Sequence, residues 1–382
     1  MTEEAARTAM PILVLGMHRG GTSALAGALR GLGVDLGPSL MQPAEGVNDK
    51  GFFEHLEAFR IHERLLAALG RSRFDPREMP VGWREHPAFR VAVDEVRALI
   101  ERDFSSAPCW AVKDPRMCRV APVWLTALAQ IGLVPRVIVI ARHPAEVARS
   151  LQAQRWIASP ARSHLCWLQH MLEAEEATRG VPRALITYDA LLVDWRDELA
   201  RAARELVIEW PRPIVDRERD IDAFLDHNER HFDEGAEHHG QDVPGLAAEL
   251  FAACRARGAD PWPRIAALGE IFRRGAAAFG PCLDEAIVEA SLVRLELGQG
   301  RVDPVVVADP AGAPSQAGAF DARLTQLYEI AALTSTRLDA VDALLRDLAV
   351  RLADREQHAA DPPSVALSAL PEVGDELTIR SM

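Results

Sequence analysis

The five cysteines, Cys109, Cys118, Cys166, Cys254 and Cys282, include no Cys-x-x-Cys pair. That absence argues against a disulfide framework or a zinc ribbon and predicts reduced, partly buried thiols, as in a cytosolic protein. Long apolar runs are missing as well. No window approaches the roughly 20 apolar residues that a membrane-spanning helix needs. The opening MTEEAARTAM is acidic and lacks the apolar stretch of a signal peptide, so a soluble, cytoplasmic protein is expected. Positive charge is in deficit: 43 Lys and Arg stand against 56 Asp and Glu, for a formal charge of −13. This argues against a nucleic-acid partner held by its phosphates. An acidic chain that still binds a polyanion must gather its cations locally, so the arginines and lysines beside glycine turns carry the most information.

One further lysine is absent where a motif asks for it. Residues 14–33, VLGMHRGGTSALAGALRGLG, form a short apolar strand, a glycine-rich turn and the opening of a helix. Counted from Gly16, the phosphate-loop pattern G-x-x-x-x-G-K-[ST] requires lysine at position 22. The chain has Thr22 there, followed by Ser23, and Arg19 is the full positive charge of the turn. Gly20 and Gly21 let the backbone approach an anion closely, and the amides of 20–23 open a helix whose N-terminus favours negative charge. Thr22 and Ser23 add hydroxyl donors. Kinases and ATPases use the missing lysine with Mg²⁺ to neutralise a triphosphate. A sulfuryl group carries less charge than a phosphoryl group, so its transfer requires no metal.

Four continuously apolar runs, at 11–15, 109–112, 136–141 and 183–187, suit central strands covered on both faces. Helical patterns at 22–32, 56–69, 87–103, 119–131, 144–157 and 163–179 separate them, with further helices at 197–208 and 217–232. Strands alternating with helices predict an α/β fold: a P-loop-like three-layer core around a central parallel sheet. The expected organisation is a flexible N-terminus over 1–10, this α/β domain over 11–235, a helical extension over 236–298 and a linker over 299–319. A coiled coil over 320–356 follows, then a disordered tail over 357–382. Leu324, Leu327, Ala331, Thr334, Leu338, Val341, Leu345, Leu348 and Leu352 alternate three- and four-residue steps, which predicts self-association into a homo-oligomer. The alternative is a helix that packs back on the domain by the same stripe.

The charged and polar candidates fall just past the strand ends: Gly16–Ser23, then Lys113 to Arg116, then Arg142 to Pro144, with Tyr188 closing the fourth strand. Open α/β sheets bind ligands at that edge. Two motifs are set aside. HNERH (227–231) has two histidines four apart but a misplaced glutamate for a metalloprotease, and a solvated or domain-closing helix explains it better. The tryptophans are scattered as core residues are, although Trp83 and Trp156 are candidates for lining a sugar site.

HRGGTS (18–23) resembles the 5′-phosphosulfate loop of the sulfotransferases, commonly a Lys or Arg followed by Ser-Gly-Thr. RHPAEVARSL (142–151) resembles their 3′-phosphate motif, an arginine with a serine eight residues later. The resemblance spans roughly residues 11–235 by motif order and is weak over 56–108, the expected acceptor wall. It implies 3′-phosphoadenosine-5′-phosphosulfate (PAPS) as sulfuryl donor, with Arg19, Gly20, Gly21, Thr22 and Ser23 at its 5′ end. Arg142 and Ser150 are implied on its 3′-phosphate, against the alternative of a surface salt bridge and helix filler. Tyr188, in ITYDAL, resembles a tyrosine close to the cofactor in the family, and fits a buried core tyrosine equally well. VKDPR resembles the K-D-P stretch of carbohydrate and tyrosine sulfotransferases, which implies a transition-state role for Lys113 beside Arg19. Asp114 is expected to cap the following turn and Arg116 to pair with it.

In GVNDKGFFEHLEAF (46–59), Glu54 resembles the family's catalytic base, with His55 and Asp49 as substitutes. Its alternative is a first-turn residue of a helix over 54–69, favoured by the helix dipole. His18 is expected to shape the loop. Gly20 departs from the family, which has serine there. The resemblance implies in-line transfer to an acceptor hydroxyl, with a carbohydrate or glycolipid as the acceptor class and no metal. Two rivals remain at this stage: a P-loop kinase or NTPase using Mg-ATP, and a non-catalytic scaffold acting through the coiled coil.

Overall fold

The computed structural model describes residues 9–44, 48, 50–225, 243–258 and 260–277. Asp49, HNERH, Cys282, the linker, the coiled coil and the tail lie outside the described residues. The strands are β1 (Met10–Leu15), β2 (Cys109–Lys113), β3 (Arg136–Ala141) and β4 (Arg183–Thr187). They form one sheet in the order β2-β1-β3-β4, and every pairing is parallel. The helices are α1 (Thr22–Gly31), α2 (Leu56–Ala68), α3 (Pro87–Phe104), α4 (Met117–Gln130), α5 (Pro144–Ala153) and α6 (Pro160–Ala177). After β4 come α7 (Tyr188–Val193), α8 (Trp195–Leu206), α9 (Glu218–Phe224), α10 (Val243–Arg255) and α11 over 262–277. Among the described residues, no helix is long and apolar enough to cross a membrane.

Alternate strand residues point to opposite faces, and both faces are buried. Leu13, Leu15, Val137, Val139 and Leu185 pack into one core with Leu65, Val96, Trp124, Trp167 and Leu250 from the helices. Ile12, Val14, Ile138, Ile140 and Ile186 pack into a second core with Leu25, Leu191, Leu199 and Ile221. Two cores with a sheet between them make three layers, which is why the strands are apolar throughout. Leu250 and Phe251 of α10 join the first core, so this part of the helical extension covers the α/β domain directly.

Local chemistry sets several helix starts. Pro87, Pro144 and Pro160 occupy first turns, where a missing N–H costs nothing. The imidazole of His143 and the hydroxyl of Ser159 accept from the amides of Ala145 and Arg162 at 3.3 Å each. The second cap starts α6 earlier than the apolar pattern at 163 suggests. The helix expected over 144–157 stops at Ala153, because Arg155 adopts a left-handed φ of 56° and turns the chain back. Tyr188 does not close β4 but opens α7.

Candidate active site

The loop between β1 and α1 is held from below by a buried thiol: the Gly16 amide donates to Cys118 Sγ at 3.1 Å. Within the loop, the Gly20 amide donates to the Met17 carbonyl at 2.9 Å, so it is not available to a ligand as the sequence suggested. A Cβ on Gly20 would lie 2.7 Å from that same carbonyl oxygen, so the loop as folded has no room for a side chain there. Gly21 caps α1 with φ 92°, and a Cβ there would lie 2.4 Å from Cδ2 of Tyr188. Beyond it, the amides of Gly21, Thr22 and Ser23 receive no acceptor from the described residues. They are the orphan donors of a helix N-terminus, aimed at the C-terminal edge of the sheet.

A cleft of about 520 Å³ opens over this turn. Arg19, Gly21, Thr22, Ser23, Glu54, Lys113, Arg142, Ser150 and Tyr188 all line it. They divide into two clusters on either side of the loop. In the first, Arg19 Nε donates to Ser150 Oγ at 2.8 Å, and Arg142 Nη1 reaches the Arg19 carbonyl at 3.5 Å. Arg142 Nε donates to Glu146 at 2.7 Å, and its guanidinium lies 4.8 Å from the Tyr188 ring centre. Among the described residues, its Nη2 is buried without a hydrogen-bond partner. Burial, followed by the neighbouring charge of Arg142, lowers the Arg19 pKa.

In the second cluster, the Lys113 ammonium is 1% exposed and uses all three donors. It bonds Ser23 Oγ at 3.0 Å, the Phe52 carbonyl at 2.6 Å and Glu54 Oε1 at 2.9 Å. Asn48 Nδ2 also donates to Ser23 Oγ, at 3.0 Å. The geometry therefore brings Glu54 to Lys113, and takes Arg19 to Arg142 and Ser150. Glu54 precedes α2 instead of lying in its first turn, since the helix begins at Leu56. Of the proposed substitutes, His55 is turned to Asp103 at 3.1 Å and packs on Phe104, away from the cleft, and Asp49 is outside the described residues.

Asp114 and Arg116 form the expected pair, with a third member that no motif announces. Asp114 Oδ1 accepts from the Arg116 amide at 2.9 Å and from its Nη1 at 3.0 Å. Oδ2 meets His62 Nδ1 at 3.0 Å. The Trp124 indole donates to His62 Nε2 at 2.8 Å, so the single ring proton of His62 sits on Nδ1 and is donated to Asp114. Burial alone would raise the Asp114 carboxyl, but Arg116 and His62 hold it well below the usual carboxylate range. Arg116 itself reaches Glu63, stacks over Phe59 at 4.4 Å and lines the cleft.

Residues without a prior signal also line the cleft, among them Asn48, Lys50, Arg73 and Phe224. Lys50 Nζ donates to the Phe224 carbonyl at 2.6 Å, tying the segment before Glu54 to α9. Trp156 reaches the cleft because the chain turns at Arg155, whereas Trp83 packs on Phe89 at 5.3 Å elsewhere.

No family model and no curated protein matches the chain. Among solved structures, it is similar to the sulfotransferase domain from the Synechococcus PCC 7002 olefin synthase. The two share 16% identity over 69% of this chain and 94% of that one, with a TM-score of 0.35. It is also similar to the sulfotransferase domain from the curacin biosynthetic pathway, at 16% identity over 68% of this chain and 97% of that one, with a TM-score of 0.32.

Proposed function

We propose that this protein is a sulfotransferase that moves the sulfuryl group of PAPS to an acceptor hydroxyl. The observation that carries the reading is Arg142: a buried guanidinium at the sheet edge with one nitrogen unpartnered, beside a helix N-terminus whose first amides are also unpartnered. Two separated sets of donors suit a ligand with phosphate at two ends, which distinguishes PAPS from ATP. When bound, PAPS supplies an activated sulfuryl group.

The amides of Gly21, Thr22 and Ser23 would hold the 5′ end, and Arg142, Ser150 and Arg19 the 3′-phosphate. Glu54 would take the proton of the acceptor hydroxyl, and Lys113 would stabilise the charge that develops on the departing oxygen. All three Lys113 donors are engaged at rest, so this role requires one bond to be exchanged. The bond to Glu54 is the one the chemistry releases, because a protonated Glu54 no longer holds the ammonium by charge. Proton uptake at Glu54 and charge delivery by Lys113 are thereby linked in one ion pair.

The test is a calorimetric titration with 3′-phosphoadenosine-5′-phosphate, run beside ATP plus Mg²⁺ and repeated with Arg142→Ala. Metal-free binding that weakens by about tenfold or more in the variant is expected, the worth of one or two charge-assisted hydrogen bonds. Preference for Mg-ATP would place the protein with the kinases instead. Binding of neither nucleotide would point to a scaffold.

A further inference from the structure

One residue stands between two acceptors of the Lys113 ammonium, and its backbone is one that its side chain disfavours. Phe53 follows Phe52, whose carbonyl accepts from Lys113 Nζ at 2.6 Å. It precedes Glu54, whose Oε1 accepts from the same ammonium at 2.9 Å. The φ of Phe53 is 58°, in the left-handed region. A Cβ clashes with the backbone there, and for a bulky side chain the conformation is an outlier. Gly51, at φ 104°, meets the same demand two residues earlier with the residue type suited to it.

Both neighbours of Phe53 are fixed by other contacts. The Phe52 carbonyl also accepts from Ser23 Oγ at 3.2 Å. Ser23 spends its one proton there and accepts from Lys113 and Asn48, so its hydroxyl is fully engaged. On the other side, the Glu54 carbonyl accepts from the Met41 amide, and the Leu56 amide donates to the Ser39 carbonyl, each at 2.8 Å. The Phe53 ring is buried in the second core, edge-on to Phe224 at 5.7 Å between ring centres. Left-handed backbone of this kind persists where the surroundings over-determine it, and it clusters at active sites. Turning φ back to the ordinary negative range would swing the Phe52 carbonyl by roughly 110° or more relative to Glu54. The two acceptors would then part from one ammonium.

We infer that Phe53 is a positioning residue for the reaction. Its left-handed backbone sets the Phe52 carbonyl and the Glu54 carboxylate on Lys113, and its ring, seated on Phe224, holds that backbone in place. The inference rests on the sulfotransferase reading for the chemistry, because that reading makes Glu54 the base and Lys113 the source of charge. The geometric part stands without it.

The chain has two lysines, Lys50 and Lys113, and both line the cleft. The ammonium region of an NMR spectrum of the full-length protein labelled with ¹⁵N-lysine therefore holds two signals at most, and Lys50→Arg assigns them. An ammonium closed from water and held by three acceptors exchanges its protons slowly and gives a sharp signal. The variants are Phe53→Gly, Phe53→Leu and Phe53→Ile. Leucine and isoleucine have the same volume, but branching at Cβ opposes a positive φ in isoleucine. The Lys113 signal should keep its wild-type position in Phe53→Gly and Phe53→Leu, and should shift or broaden away in Phe53→Ile.

Turnover of PAPS with water is read in the same samples. The water oxygen bonds to sulfur as the bond from sulfur to the 5′-phosphate oxygen breaks, and Glu54 takes one water proton. Hydrogen sulfate and 3′-phosphoadenosine-5′-phosphate are released. The rate should be about tenfold or more lower in Phe53→Ile than in Phe53→Leu, while nucleotide affinity changes little. Identical spectra for Phe53→Leu and Phe53→Ile, or a signal lost in Phe53→Gly and kept in Phe53→Ile, would overturn the inference, because packing alone predicts those results. So would the absence of a slowly exchanging Lys113 signal in the wild type. The leucine and isoleucine pair decides even if loss of the ring unfolds Phe53→Gly. Should the nucleotide fail to bind the wild type, the sulfotransferase reading falls, and the spectra still decide whether Phe53 sets the ion pair.

Discussion

Asp114→Asn removes one charge from a buried cluster without changing its volume. Asp114 is fully buried and accepts three hydrogen bonds, two from Arg116 and one from His62. An asparagine keeps one acceptor oxygen and turns an NH₂ toward a donor on the other side. Arg116 is then left buried with Glu63, itself 39% exposed, as its remaining ion-pair partner. Breaking a buried pair by removal of one charge costs about 3–5 kcal/mol. For a domain of this size that corresponds to a fall of about 6–20 °C in melting temperature.

The pH dependence has a definite sign. The folded-state pKa of Asp114 lies below its unfolded value, so its contribution is complete above the unfolded pKa of about 3.9 and is lost as pH falls toward the folded value. Urea unfolding of both proteins between pH 3 and 7 should therefore give stability curves that stay far apart from pH 7 down to about pH 4 and begin to approach each other below it. Adding Arg116→Met to Asp114→Asn should cost less than the sum of the single changes, because the charge left over, Glu63, is half-exposed and no buried charge remains unpaired. A variant within about 1 kcal/mol of the wild type at pH 7, or strictly additive costs in the double variant, would show that the cluster does not act as a buried ion pair.

Three further outcomes are expected. Gly21→Ala forces a side chain into φ 92° and against Tyr188, so it should cost about 1–3 kcal/mol in thermal unfolding and weaken 3′-phosphoadenosine-5′-phosphate binding in the same preparation. Glu54→Gln should lower single-turnover sulfuryl transfer by about 10²–10⁴-fold while nucleotide affinity changes little; equal rates in variant and wild type would remove Glu54 as the base. Burial pushes the thiols of Cys109 and Cys166 up to about 11 and that of Cys254 up to about 12, and raises Cys118 further. Mass spectrometry after alkylation of the native protein at pH 8 should find these four cysteines unmodified, and modified once the protein is unfolded.

Strand–helix alternation and the place of the loop could be read from the chain because they are local. Continuous apolar runs announce strands buried on both faces, and PILVL at 11–15, followed by glycines, announces a turn into a helix. The ends of elements were less legible where a single residue decides them. Arg155 stops α5 by taking a left-handed φ, and nothing in its side chain marks it for that. The Ser159 cap moves the start of α6 upstream of its apolar periodicity.

Within the cleft, the sequence by itself determined which residue types stand at the strand ends: Arg19 and Ser23 after β1, Lys113 closing β2 with Asp114 after it, Arg142 after β3. Tertiary structure alone decided their partners, because these contacts join residues far apart in the chain. Ser23 and Lys113 are 90 positions apart, and Arg19 and Ser150 are 131 apart. Their meeting follows from parallel crossovers that bring every strand end to one edge of the sheet. That packing put Arg19 with Arg142 and Glu54 with Lys113, and it added His62 behind Asp114. It also left His18 buried with no hydrogen-bond partner among the described residues, because a side chain's hydrogen bonds depend on what the fold brings to it.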